Sequence, residues 1–302
     1  MINKEDKIVI TGCGGMLGEA VYSEFKDICK VYASDIDLNE DWLEYLDVSS
    51  ANAVAEYLEN IKPDYIIHLA AKTDMEYCEL NSEETYATNR NGVTHVVKYA
   101  NSANIPVVYI STAGIFDGEQ ESYREEDKPN PLSVYGRSKY EGELEAKKAT
   151  KSIVVRAGWM IGGGPKKDKK FVKKIVEQIN NGSKQLHVVN DKFGTPCYTY
   201  DLAKSLHFLV DNEYYGIYHG ACDGKCNRYE VAVAMMIDLG IKDEVEVIEV
   251  DSSFVEKDFF APRPRSEILQ NIRLKKIAPH LTRDWEICVK EYLNKFDWLE
   301  RS

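Results

Sequence analysis

Glycines at positions 12, 15 and 18 constrain this chain more than any other feature, because of what stands on either side of them. Lys7-Ile8-Val9-Ile10 is a short apolar run of the kind that forms a buried parallel strand. It leads straight into Thr11-Gly12-Cys13-Gly14-Gly15-Met16-Leu17-Gly18, and a helical pattern continues through Val21, Tyr22 and Phe25. Between a strand and a helix, Gly12, Gly15 and Gly18 allow a tight turn, close approach of backbone to a pyrophosphate, and close packing of helix on strand. The start of that helix offers unpaired N–H groups and a partial positive charge to phosphates. Further on, Val31-Tyr32-Ala33-Ser34-Asp35 reads as a second strand ending in an acid. A carboxylate there accepts hydrogen bonds from ribose hydroxyls and repels a 2′-phosphate. Strand, loop, helix, strand and acid in this order point to a dinucleotide site, and Asp35 leans it towards NADH rather than NADPH.

A second signal lies in Tyr135-Gly136-Arg137-Ser138-Lys139. On an α-helix, Tyr135 and Lys139 share one face a turn apart. A phenol is a poor proton donor or acceptor near neutrality unless its pKa falls, and a neighbouring ammonium lowers it by favouring the phenolate. The pair is a compact acid/base device, suited to protonating an alkoxide as it forms from a carbonyl.

The remaining pattern alternates. Strand candidates at Ile8–Ile10, Val31–Ser34, Tyr65–Leu69, Val107–Ile110 and Ile153–Arg156 are separated by helical segments. Those segments are Met16–Cys29, Ala51–Asn60, Ser82–Ala103 and Ser133–Thr150. Right-handed crossovers then give an α/β fold, a doubly wound parallel sheet of Rossmann type. From about residue 157 short strands (Leu186–Val189, Val245–Val250) mix with helices at Phe171–Asn180, Arg228–Leu239 and Thr282–Asn294. The expected organisation is a dinucleotide-binding domain over 1–156 and a smaller, mainly substrate-binding lobe over 157–302, with segments around 186–210 returning to the first domain.

Taken together, these motifs resemble an extended short-chain dehydrogenase/reductase, and within that superfamily the dTDP-4-dehydrorhamnose reductases. Beyond the loop ending Met16-Leu17-Gly18, the resemblance rests on Leu46-Asp47-Val48-Ser49, His68-Leu69-Ala70-Ala71-Lys72-Thr73, Ala87-Thr88-Asn89, and Tyr109-Ile110-Ser111-Thr112 before Phe116-Asp117-Gly118. Arg156-Ala157-Gly158-Trp159, Asp191-Lys192-Phe193-Gly194-Thr195-Pro196, Asp201-Leu202-Ala203 and Arg263-Pro264 with Leu269 and Asn271 follow in the family's order. The resemblance implies reduction of the C4 keto group of a nucleotide-linked 6-deoxy sugar by NADH or NADPH. It implies that Asp47 and Val48 meet the adenine, that Leu69, Ala70, Ala71 and Thr73 lie along the cofactor, and that Asn89 supports the central strands. Thr112 would hydrogen-bond the keto oxygen, Tyr135 would donate the proton, and Lys139 would lower the pKa of Tyr135 and hold the nicotinamide ribose. Thr73, Ser111, Ala113, Trp159 and Arg263 would line the sugar site.

One departure bears on the sugar. Reductases of this family usually carry Asp-Tyr after the active-site threonine; this chain has Ala113-Gly114. Two polar contacts are gone, and losing hydrogen-bonding groups changes discrimination more than trimming a methylene does. Ser266-Glu267 is also off pattern. A UDP-linked 4-keto-6-deoxy-hexosamine reductase, an epimerase recycling NAD, and a non-catalytic nucleotide-binding subunit therefore stay open beside the rhamnose-pathway reductase, although a pure binder has no need of Thr112, Tyr135 and Lys139.

Composition narrows the setting. At 302 residues and 44% hydrophobic, the chain can bury a large core. No apolar run approaches the roughly 20 residues that span a bilayer, and the opening Asn3-Lys4-Glu5-Asp6-Lys7 lacks a signal peptide's apolar core. The expectation is a soluble, cytoplasmic protein without a membrane partner. A net charge of −12 disfavours a nucleic-acid surface. Positive charge for an anionic nucleotide sugar must then be local, and Lys166-Lys167-Asp168-Lys169-Lys170 with Lys173-Lys174 is either a solvated segment or a mobile basic flap for the diphosphate. Seven scattered cysteines read as free thiols, and no metal-ligand set is matched. A homodimer stays open as its assembly.

Overall fold

Alternation along single strands builds the centre of the molecule. In the computed structural model, which describes residues 1–300, the run Lys7–Thr11 (β1) is a strand buried on both faces. Ile8 and Ile10 join one apolar cluster and Val9 joins another, as successive side chains on a strand must. Around β1 stand Lys30–Asp35 (β2), Leu43–Tyr45 (β3), Tyr65–His68 (β4), Val107–Thr112 (β5), Ser152–Ala157 (β6) and Gly216–Gly220 (β7). They form a seven-stranded, wholly parallel sheet in the order β7-β6-β5-β4-β1-β2-β3. The order reverses between β1 and β4, and a crevice at the carboxyl ends of strands at such a point is where doubly wound sheets bind ligands.

Helices cover both faces. Met16–Phe25 (α1) packs Leu17, Val21 and Phe25 onto the Ile8/Ile10 side. Ala51–Ile61 (α2) and Gly92–Ala103 (α3) bring Val54, Leu58, Val93, Val96 and Val97 to the Val9 side. Val134–Ala146 (α4) follows β5, and Thr199–Asp211 (α5) lies beside α1 with Leu202, Leu206 and Leu209 buried. Burying each such aliphatic side chain stabilises the fold by about 1.5–3 kcal/mol.

After β6 a second apolar cluster assembles from Trp159, Val172, Val176, Leu186, Val231, Met235, Val289 and Tyr292. It is framed by helices Phe171–Asn180, Arg228–Asp238 and Trp285–Asn294 and by the parallel pair Gln185–Val189 and Glu246–Val250. Among the described residues no helix is long and apolar enough to cross a membrane.

Most expected elements are present with ends moved by a few residues. The long helix expected over Ser82–Ala103 is the informative difference. It divides into Ser82–Tyr86, a π-turn over Ala87–Asn91, and α3. The short edge strand β3, the last strand β7 and helix α5 were not among the expected elements.

Candidate active site

The glycine loop sits where the strand order reverses. Gly12 has φ +70°, and a Cβ there would lie 2.3 Å from the Ala70 backbone nitrogen. The backbones following β1 and β4 thus touch, and Leu69 N–H donates to the Thr11 carbonyl at 2.9 Å. Met16 and Leu17 are buried at the start of α1, while Gly15 caps that helix without a side-chain hydrogen bond. Its first N–H groups therefore face the crevice with no capping side chain competing for them. Asp35 ends β2, and its Oδ2 accepts the Gly14 N–H at 2.9 Å. The cradle, the uncapped helix start and the carboxylate together fit a dinucleotide. Asp47 accepts from Ser49 N at 2.9 Å and Oγ at 2.7 Å, which shapes the turn bearing buried Val48.

The strand–loop after β4 is held by Asn89. Its Oδ1 accepts from Lys72 N at 2.7 Å, and its Nδ2 donates to Lys72 O at 3.0 Å and Ser138 Oγ at 2.9 Å. One buried amide therefore fixes Ala70, Ala71 and Thr73 against α4. Exposed Thr73 is met from the other side, its carbonyl accepting from Lys170 Nζ at 3.0 Å.

Tyr135 and Lys139 lie on α4, which Ser133 caps by accepting the Gly136 N–H at 3.0 Å. A Cβ on Gly136 would lie 2.3 Å from the Gly114 carbonyl, so a glycine lets α4 press onto the end of β5. That contact brings Tyr135 beside Thr112, whose Oγ1 accepts the Gly114 N–H at 3.1 Å. Ser111, the preceding residue, is buried with its hydroxyl unpartnered. Lower on α4, Glu143 forms a buried pair with Arg156 of β6, with contacts of 2.7 and 3.0 Å, while Arg156 also donates to the Glu125 carbonyl at 3.1 Å.

Electrostatics differ from the sequence expectation in one respect. Burial pushes the Tyr135 phenol up to about 12; the Thr112 hydroxyl opposes that shift and the Glu267 charge adds to it. Lys139 is itself pulled down to about 7 by burial, against the pull of Glu143. Its Nζ donates to the Ile110 carbonyl at 2.6 Å and sits 4.3 Å from the Tyr109 ring centroid. The two side chains share a helix face as expected, but burial, and not the Lys139 ammonium, sets the direction of the phenol's shift. Tyr135 is thereby kept protonated, the form a proton donor needs.

Opposite this face stand residues from the later chain. Trp159 donates Nε1–H to Glu267 Oε2 at 2.7 Å, and the Arg228 guanidinium lies 3.8 Å from the Trp159 ring centroid. Ala113 is buried, in an apolar cluster with Ile115, Phe116, Tyr123, Ala221 and Leu269. Arg263 is engaged by Glu76 at 2.8 Å and by the carbonyls of Phe259 and Ala261. Glu267 and Arg228 were missed as site residues; the only signal was that Ser266-Glu267 broke the family pattern. The basic run is not a free flap. Lys166 and Lys167 both reach Glu40, at 2.8 and 3.2 Å, and Lys167 is buried over Trp42.

Comparison with known proteins agrees with this geometry. The family model described as the RmlD substrate binding domain matches residues 6–298. The dTDP-4-dehydrorhamnose reductase of Aggregatibacter actinomycetemcomitans is 29% identical over 294 residues, covering 94% of this chain and 97% of the relative. The crystal structure of a dTDP-4-dehydrorhamnose reductase from Clostridium acetobutylicum superposes with a TM-score of 0.86 at 33% identity, over 96% of this chain and 99% of that one. The reductase of Bacillus anthracis, solved in complex with NADP, has the same TM-score of 0.86 at 29% identity, over 97% of this chain and 100% of its own.

Proposed function

The chain belongs to the RmlD substrate-binding domain family, and from that premise we propose that it is an NAD(P)-dependent oxidoreductase that reduces the C4 keto group of dTDP-4-dehydrorhamnose to give dTDP-L-rhamnose. The observation that carries the reading is the meeting of Thr112 at the end of β5 with Tyr135 on α4, at the same carboxyl-end edge of the parallel sheet as the glycine loop. A nicotinamide cofactor, when bound, supplies the hydride. Gly12, Gly15 and the start of α1 would hold its pyrophosphate, Asp35 its adenosine ribose, Asp47 and Val48 its adenine, and Lys139 its nicotinamide ribose. Residues 1–156 would hold the dinucleotide and most of 157–302 the sugar nucleotide, with Trp159 walling the sugar.

The rest is done by the chain's own side chains. Thr112 Oγ1 and the Tyr135 hydroxyl hold the keto oxygen. Tyr135 gives that oxygen its proton as negative charge develops there, and the two hydroxyls stabilise the charge in a site screened from water. Asp35 supports a preference for NADH, since a carboxylate at the end of β2 disfavours a 2′-phosphate.

The test is oxidation of NADH and NADPH, followed by loss of the reduced nicotinamide's absorbance, with dTDP- and UDP-linked 4-keto-6-deoxy sugars. Turnover of the dTDP-linked sugar, lost in Tyr135→Phe, is expected. Turnover of the UDP-linked sugar alone would change the substrate. Cofactor binding with no turnover of any sugar would replace the enzyme by a non-catalytic subunit.

A further inference from the structure

Glu267 has no part in the proton and hydride chemistry above, yet it faces the same chamber. It lies on the two-residue strand Ser266–Glu267, pinned by pairing with Phe193–Gly194. One carboxyl oxygen is committed, since Oε2 accepts the Trp159 indole N–H at 2.7 Å. Trp159 is held in turn by Arg228, stacked 3.8 Å from its ring centroid. Oε1 receives no hydrogen bond from the described residues and is turned towards Gly114. A Cβ on Gly114 would lie 3.5 Å from Glu267 Oε1, 3.5 Å from Thr112 Oγ1 and 3.6 Å from the Tyr135 ring. Three functional groups thus border one point, and glycine leaves that point open.

A half-buried carboxyl oxygen with a vacant acceptor position, beside the two hydroxyls that hold the reacting oxygen, is placed to meet the substrate's next polar group. We propose that Glu267 is a specificity-determining residue whose Oε1 binds the hydroxyl on the carbon adjacent to the reacting carbonyl. This rests on the reductase reading. In a 4-keto-6-deoxyhexose that hydroxyl is the one on C3, because the other neighbour of C4 carries the ring oxygen and the methyl group. A hydroxyl also suits Glu267 in either protonation state. Burial raises the Glu267 pKa, against the Trp159 hydrogen bond and the charges of Arg228, Arg263 and Lys192. As a carboxylate, Oε1 accepts from the hydroxyl. As an acid, with Oε2 taken by Trp159, Oε1 carries the proton and donates to it. Ser111 and Thr112 bear the only other hydroxyls at the end of β5, and Thr112 is committed to the carbonyl.

The test compares kcat/KM for dTDP-4-keto-6-deoxyhexose bearing the C3 hydroxyl with that for its 3-deoxy counterpart, in the wild type, Glu267→Ala and Glu267→Gln. The wild type should prefer the hydroxylated sugar by about a hundredfold or more, because a site built to bond a hydroxyl rejects the analogue lacking it. Glu267→Ala should compress the preference to within about tenfold, and Glu267→Gln, which can still bond through its amide, should lie between. Unchanged NADH fluorescence titrations in both variants would show that the cofactor site is intact. A Glu267→Ala enzyme that keeps the wild-type ratio overturns the proposal, as does a wild type that reduces both sugars equally well. A wild type that reduces neither sugar overturns the reductase reading, and this assignment with it.

Discussion

Breaking the Arg156–Glu143 pair should damage the protein more than any surface charge change, and the structure sets the size of the effect. Both side chains are almost wholly inaccessible, at 3% and 1%, with the closest contact at 2.7 Å. Two unit charges at that separation attract by about 6 kcal/mol at an effective dielectric near 20. Most of that attraction offsets the cost of desolvating two ions, so the pair contributes little against an apolar alternative. Losing one partner is different. Arg156→Met leaves the Glu143 carboxylate buried and unpaired, and the expected loss is about 3–5 kcal/mol of unfolding free energy in urea titrations at neutral pH. Replacing both, as Arg156→Met with Glu143→Leu, should recover most of that loss, so the two changes should couple by roughly 3 kcal/mol in a double-mutant cycle. A cost under about 1 kcal/mol for either single change, or a double change equal to the sum of the singles, would refute this account of the pair. Because Glu143 is one turn beyond Lys139 on α4, the single variants should also lose activity through displacement of the helix that carries Tyr135.

Three further outcomes follow from the site. Tyr135→Phe should lower kcat by about 10²–10⁴ while leaving cofactor binding unchanged, which steady-state rates and NADH fluorescence would measure together. Burial lowers the Lys139 pKa from 10.5 to about 7, so between those values the unfolded chain holds a proton that the folded protein has released. Stability contributed through Lys139 should therefore rise with pH across that window and level off outside it. Subtracting the urea stability–pH curve of Lys139→Met from that of the wild type isolates the slope, and a flat difference would contradict the assignment. Asp35→Ser should raise the NADPH-to-NADH ratio of kcat/KM at least about tenfold, with some loosening of the loop whose Gly14 N–H it accepts; an unchanged ratio would mean that the carboxylate does not face the 2′ position.

What could be read from the sequence was local or carried by strong period. The order of strand, glycine loop, helix, strand and acid lies within one stretch of chain, and Tyr135 and Lys139 within one helix turn, so both appear in the structure where the pattern put them. What could not be read depends on distant partners. No periodicity marks the π-turn at Ala87–Asn91, where Asn89 bonds to Lys72 and Ser138 far along the chain. The direction of the basic run depends on Glu40, over a hundred positions away. Glu267 reaches the chamber only because Gly194 and Trp159 hold its strand and its carboxyl. The raised Tyr135 pKa is likewise a property of depth; helix spacing gave the neighbour but not the desolvation that sets the shift.

The π-turn has one more consequence. Such a turn is an α-helix that has taken in a single extra residue, so the helical segments before and after it keep the faces they would have had without it. Excising one residue there would leave Val93, Val96 and Val97 still turned into the core, and the sheet still covered. The Asn89 amide would lose its reach to Lys72 and Ser138, and with it the loop along the crevice would lose its tether to α4. Foldability and catalytic competence are thus written in separable residues of one helix. A lineage could shed the activity here by a single-codon deletion and keep an intact scaffold.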